Sequence, residues 1–183
     1  MRRSLPLYLS LLLLTQCSKC KNDPRPLDPA AQLPPATQTG AGTFGCLVNG
    51  QPYTPQGRVG LGPNFDVSYD PGFNGGDLVV RTYRVLAGEK KALAFNAINI
   101  TSPGSYPFGP RQGEAKGSFD DDNRALPCNE FEASRSGTFS KGTLTITRLN
   151  LQTGIISGTF DYTLAKPGCD TIKVTQGRFD DKL

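Results

Sequence analysis

Residues 142–164 read GTLTITRLNLQTGIISGTFDYTL, and this stretch decides the fold. Two β-rich runs, 142–151 and 155–164, flank a short loop in which Gly154 can take the left-handed conformation of a hairpin with a bulge. Gly158 leaves a gap for a bulky neighbour on one face of the second run. Alternation places four apolar side chains on that face, namely Ile156, Phe160, Tyr162 and Leu164.

The same two-residue alternation of side chains continues towards the N-terminus. Asn49-Gly50 supplies two positive-φ residues for a tight hairpin after Phe44, Cys46 and Val48. Residues 65–69 alternate in the same way and lead through a turn cluster at 70–76 into residues 77–86. Residues 91–100 are apolar on both sides, which predicts a strand in the middle of a sheet.

The final strand contains Ile172 and Val174, which we expect to point one way, and Phe179, which we expect to point the other way across a bulge at Gly177. About nine or ten strands follow from these patterns. The prediction is an all-β fold, a single antiparallel sandwich or partly closed barrel, and periodicity does not choose between the two.

Composition agrees with one turn-rich β domain, because the 183 residues include 21 glycines and 15 prolines. We predict a signal peptide over 1–16, a lipid anchor and flexible linker over 17–42, and a β domain over 43–183. Loss of Arg2 and Arg3 with the signal peptide leaves 18 basic and 16 acidic residues, which are scattered along the chain. A nucleic-acid partner is therefore not expected.

The N-terminus has the layout of a signal peptide: a basic start, an apolar run of about ten residues and then Leu14-Thr-Gln-Cys17. This tetrapeptide resembles the bacterial lipobox, whose cysteine carries fatty acyl chains such as palmitate. We therefore expect Cys17 to anchor the chain in a membrane of the bacterial envelope, the outer membrane being preferred. The alternative is an ordinary secretory signal with an incidental cysteine. The sequence leaves open whether the domain faces the periplasm or the cell exterior.

Several phrases of the β domain resemble a family of Bacteroidota lipoproteins that is classed as a domain of unknown function. They are residues 43–53 (TFGCLVNGQPY), 136–139 (SGTF) with 142–148 (GTLTITR), and 156–164 (ISGTFDYTL) with 167–171 (PGCDT) and 176–180 (QGRFD). The resemblance covers essentially the whole domain. It implies a source and an envelope location, and it brings no catalytic or binding residue.

The chain contains no histidine, which removes Ser-His-Asp and Cys-His catalysis and every His-ligated metal. Cys17 and Cys20 spell C-x-x-C, but no second pair completes a zinc site, so no metal and no cofactor are expected. A carboxylate pair or a Ser-Lys pair would still allow catalysis. We expect no enzyme activity.

Three patterns are weaker pointers to chemistry. Asp120-Asp-Asp122, with Glu130 and Glu132, offers oxygen donors, but the spacing fits no calcium loop and a solvated acidic loop is the preferred interpretation. Asp170-Thr171-Ile172 resembles the acceptor pattern for O-glycosylation in Bacteroidota, with Thr171 as the acceptor. Aromatic residues that could contact a ligand are Tyr53, Tyr69, Tyr83 and Tyr106.

We predict a disulfide between Cys128 and Cys169, both in loops, with Cys46 reduced and buried because it is in phase with Phe44 and Val48. The alternatives pair Cys46 with either loop cysteine or recruit Cys20.

Anchor, linker and histidine-free domain together suggest a non-catalytic envelope lipoprotein that binds an envelope protein or glycan or has a structural role. The alternatives are a small glycan-active hydrolase using two carboxylates and an accessory subunit of a larger envelope complex.

Overall fold

The computed structural model describes residues 28–183, and these form eleven β-strands after one short 3-10 helix (Pro29–Gln32). The strands in chain order are β1 (Thr43–Val48), β2 (Gln51–Tyr53), β3 (Phe65–Asp70), β4 (Asp77–Leu86), β5 (Glu89–Ala97), β6 (Gly104–Phe108), β7 (Lys116–Asp121), β8 (Glu130–Glu132), β9 (Phe139–Asn150), β10 (Ile155–Ala165) and β11 (Ile172–Lys182).

The strands make two antiparallel sheets packed as a sandwich, which is not closed into a barrel. The six-stranded sheet has the order β2-β1-β11-β10-β9-β6, and the five-stranded sheet has the order β3-β4-β5-β7-β8. The all-β prediction is confirmed, and the sandwich is the correct one of its two forms. The strand count of eleven exceeds the expected nine or ten, and β8, with three residues, is too short to show alternation.

Inward side chains of both sheets make one core, and its centre is aromatic. Phe95 of β5 contacts Phe160 of β10 and Phe179 of β11, with ring centroids 4.9 and 5.9 Å apart. These contacts join the two sheets. Because aromatic side chains bury a large area each, they supply much of the apolar burial that holds the sandwich together.

Two predicted hairpins are confirmed. Asn49 and Gly50 have φ values of 49° and 79°, as the tight turn between β1 and β2 requires. Gly154 has a φ of 68° in the turn between β9 and β10, which are neighbouring strands of the six-stranded sheet.

The last strand has the predicted bulge near Gly177, but the face of Phe179 differs from the prediction. The bulge lies beside Gly177, where Gln176 has a φ of 52° and the register between β10 and β11 shifts. Because a bulge inserts one extra residue, it returns Phe179 to the same face as Val174, and both are buried in the core. The expectation that Phe179 points away from Val174 is therefore wrong.

Strand β5 is central in its sheet, as predicted, but only one of its faces is fully buried. Leu93, Phe95 and Ala97 are buried, whereas Ala92 and Ala94 on the other face are half-buried. The outward apolar residues are all small.

Cys128 and Cys169 form a disulfide, and Cys46 is a free, buried thiol, as predicted for all three. The bond joins the loop between β7 and β8 to the loop between β10 and β11, so it connects the two sheets covalently. Burial raises the pKa of the Cys46 thiol well above its ordinary value, which makes the thiolate scarce.

Part of the predicted linker lies against the domain. Leu33 is buried, and Thr37, Thr39, Gly40 and Ala41 donate hydrogen bonds to Asp180 on β11. Packing therefore begins about ten residues before Thr43.

Candidate ligand-binding surfaces

The outward face of the five-stranded sheet is concave, because residues aligned across its strands are small in the middle and long at the sides. One row runs Asp66, Arg81, Ala94, Ser118, Glu132, and the next runs Tyr83, Ala92, Asp120, Glu130. We call this surface the outer trough. It contains two adjoining cavities of about 510 and 290 Å³, which share Arg81, Ala94 and Ser118.

The sides of the outer trough carry charges of both signs. Arg81 lies 3.7 Å from Asp66, and both side chains are at least half exposed. Arg135 forms ion pairs with Glu130 and Glu132 across the strand β8. Exposed pairs of this kind contribute little to stability, so their donors and acceptors can be exchanged for those of a ligand.

Asp120 and Glu130 lie directly opposite each other on β7 and β8 within the outer trough. Burial, together with the nearby Glu130 and Glu132 carboxylates, raises the pKa of Asp120. The trough therefore contains an aspartate with an increased tendency to hold a proton beside a glutamate paired with an arginine.

A second concavity opens at one end of the sandwich, between the two sheets. We call it the end pocket. It has a volume of about 180 Å³, and it is lined by Val48, Asn49, Gln51, Tyr53, Arg84, Lys91, Phe119, Asp121 and Arg124. Lys91 Nζ lies 2.9 Å from Asp121 Oδ2, and Arg124 Nε lies 3.4 Å from the same oxygen.

The end pocket was missed at the sequence level, although a signal was present. Each of three charged residues lies two positions from a buried residue of its own strand. The pairs are Arg84 with Thr82, Lys91 with Leu93, and Asp121 with Phe119. Period two therefore assigns all three to the core side. Only the register between strands shows that they meet at one level.

The four predicted tyrosines do not form one platform. Tyr53 is buried beneath the end pocket, where its hydroxyl donates to Lys91 O at 3.2 Å. Tyr69 and Tyr106 are half-buried, and their hydroxyls donate to Ile100 O and Ser102 O. Tyr83 alone lines the outer trough, where its hydroxyl accepts a hydrogen bond from the Val59 backbone amide in the bordering loop.

The acidic run is divided by its strand. Asp120 faces outward and Asp121 inward on β7, so neither lies in the expected loop, and Asp122 is exposed after the strand ends. Within residues 28–183, no group of three or more His, Cys, Asp or Glu side chains could hold a metal ion. Thr171 is exposed just before β11, and its glycosylation stays a prediction.

The signal peptide, Cys17 and Cys20 lie outside the described residues, and lipidation of Cys17 stays a prediction. In the described part of the chain, no helix has the length and apolar character needed to span a bilayer.

Comparison of the chain with protein-family models, curated proteins and solved structures gives no match.

Proposed function

We propose that this chain is a non-catalytic envelope lipoprotein, anchored through lipid on Cys17 in the outer membrane, whose outer trough binds a glycan or a segment of an envelope protein. The observation that supports the binding role is the shape of the trough. It is open across five strands, has a floor of small side chains and offers charged groups on its sides. Such a surface suits a long polar ligand with many hydrogen-bonding groups.

The position of the N-terminal segment also supports this proposal. Ala36 and its neighbours lie on the outward face of the six-stranded sheet, near Thr143 and Arg178. The outer trough lies on the opposite sheet. A chain attached through its N-terminus would thus leave the trough accessible.

The experiment compares Ala94→Arg, which fills the trough without reaching the core, with Thr143→Arg on the exposed face of the other sheet. Full-length protein in detergent is tested on a glycan array, and photo-crosslinking from Asn96 is tested against envelope proteins in cells. We expect a ligand that binds wild type and Thr143→Arg and that Ala94→Arg weakens at least tenfold, because the arginine occupies its site. Equal binding by both variants, or no ligand in either format, would contradict the proposal.

The glycan-active hydrolase remains a second candidate, because Asp120 and Glu130 face each other and the pKa of Asp120 is raised. Directly opposed strand residues bring their Cβ atoms within about 5.5 Å. Their carboxyl groups can therefore reach separations of about 5 to 9.5 Å, the range in which a carboxylate pair acts on one glycosidic bond. If this activity exists, Asp120→Asn should slow release of reducing sugar about 100-fold or more. Asp161→Asn, at an exposed position on β10 of the other sheet, is the control and should not slow it. Absence of sugar release by wild-type protein would eliminate this candidate.

A further inference from the structure

The end pocket is formed by a layer of charged residues where a layer of core residues would otherwise continue. Arg84 pairs with Lys91 across β4 and β5, and Lys91 pairs with Asp121 across β5 and β7. The layer directly below comprises Thr82, Leu93 and Phe119, all buried. The three charged side chains thus meet at the open end of the sandwich, facing the hairpin of β1 and β2.

The positive charges in the end pocket exceed the negative ones. Arg84, Lys91 and Arg124 line the pocket with one carboxylate, that of Asp121. The Asp121 carboxylate already has three partners. Its Oδ2 contacts Lys91 and Arg124, and its Oδ1 accepts a hydrogen bond from the backbone amide of Asn123 at 3.1 Å. An excess of two positive charges therefore remains in the pocket, whereas the mature chain as a whole is nearly neutral.

The guanidinium of Arg84 has more N–H donors than its one hydrogen bond to the described part of the chain uses. Its Nη1 donates to Pro52 O at 2.8 Å, and its guanidinium lies over the Tyr53 ring, 5.2 Å from the centroid. No carboxylate among residues 28–183 lies within ion-pair distance of Arg84. Because a guanidinium carries five N–H donors in a rigid plane, the stacking on Tyr53 holds a fork that can bind an oxyanion through two oxygens.

The surroundings strengthen this attraction. Tyr53 and Phe119 form apolar walls, and a positive site between such walls attracts anions more strongly than the same charges in open water. Asn49 and Gln51 add amide groups at the opening. The volume of about 180 Å³ equals that of about six water molecules, so the pocket has room for a single anionic group.

We propose that the end pocket is an anion-binding site, in which Arg84 and Arg124 hold the oxyanion of a small ligand or sugar substituent, a carboxylate, sulfate or phosphate. Asp121 positions Arg124 and Lys91, whereas Pro52 O and the Tyr53 ring position Arg84. The site lies on the inward side of β4 and does not depend on the outer trough, which uses the outward side of the same strand.

The test is isothermal titration calorimetry of the full-length chain in neutral detergent, with sodium sulfate, sodium phosphate and sodium glucuronate added separately at constant ionic strength. Glucose is the uncharged counterpart of glucuronate. We expect saturable binding of at least one anion and none of glucose. A preference for sulfate or phosphate identifies a tetrahedral group as the ligand, and a preference for glucuronate identifies a sugar carboxylate.

The first pair of substitutions is Arg84→Gln with Arg124→Gln, and its matched control is Arg58→Gln with Arg111→Gln, which removes two arginines that lie outside the end pocket and outside the outer trough. We expect the first pair to weaken anion binding at least tenfold and the control to change it less than twofold. Circular dichroism melting checks that both fold. If the first pair is unstable, Arg124→Gln alone serves, with an expected loss of at least threefold.

Absence of saturable binding with all three anions would overturn the proposal. Equal affinity in the pocket variant and in its matched control would do the same, since the bound anion would then lie elsewhere.

Discussion

At the scale of single residues, the carboxylate of Asp180 joins the N-terminal segment to β11. Its side chain is 1% exposed and accepts hydrogen bonds from Thr37 Oγ1 at 2.6 Å and from the amides of Thr39, Gly40 and Ala41 at 2.8–3.2 Å. Burial alone would raise the pKa of Asp180, but these hydrogen bonds outweigh it and hold the pKa below its ordinary value. The ionised carboxylate therefore stabilises the folded chain.

Asp180→Asn should lower the free energy of unfolding at neutral pH by about 3 kcal/mol, because hydrogen bonds to a charged group are lost or weakened. The melting temperature should fall by about 6–12 °C. Asp161→Asn, at an exposed position on β10, is the control and should change stability little. Thermal and urea unfolding measure both.

The same pair of proteins gives a pH test. Because the folded-state pKa of Asp180 is lowered, its stabilising contribution is fully present above the unfolded pKa of about 3.9 and is lost as pH falls through the folded value. The difference in unfolding free energy between wild type and Asp180→Asn should therefore shrink between about pH 5 and pH 2. A difference that stays constant over this range would show that Asp180 does not act through its charge.

At the scale of elements, β10 and β11 contact each other through two glycine–aromatic pairs. Phe160 lies opposite Gly177, and Gly158 lies opposite Phe179. A Cβ atom on Gly177 would overlap the Phe160 ring, and one on Gly158 would lie 2.8 Å from the Phe179 ring. Each aromatic ring thus covers the glycine of the neighbouring strand, which allows two rings to enter the core side by side.

Gly177→Ala should destabilise the domain by about 2–3 kcal/mol, because the Phe160 ring must move within a packed core. Gly62→Ala is the matched control, since no atom lies within 4 Å of its added methyl group. Chemical unfolding of both variants measures the difference. Similar stabilities would show that the core tolerates the methyl group at Gly177.

The elements also show what the sequence can predict. Asn49-Gly50, the gap at Gly158 and the central place of β5 follow from local turn chemistry and alternation, and the structure confirms them. The sequence also predicts the bulge near Gly177, but simple alternation from Val174 gives the wrong face for Phe179, because the extra residue at Gln176 reverses the phase of the strand after it. The outer trough and the end pocket depend on the register between strands, which one sequence does not reveal.

At the scale of the whole molecule, the proposed function depends on the N-terminal anchor. Labelling cells with an alkynyl fatty acid should mark the wild-type chain and leave Cys17→Ala unmarked, because the Cys17 thiol is the proposed site of acylation. Cys20→Ala is the matched control and should label like wild type. Equal labelling of Cys17→Ala and wild type would exclude an anchor at this residue.

The contact between the N-terminal segment and Asp180 determines how the domain would bear mechanical tension. A pull from the N-terminus would first reach Leu33 and Pro34, and then residues 37–41, whose hydrogen bonds to Asp180 pass the load into β11. Strand β11 lies inside the six-stranded sheet, between β1 and β10, so the load would spread over both neighbours. The short edge strand β2 would be bypassed, so tension applied through the N-terminal segment would not unzip the sheet from that edge.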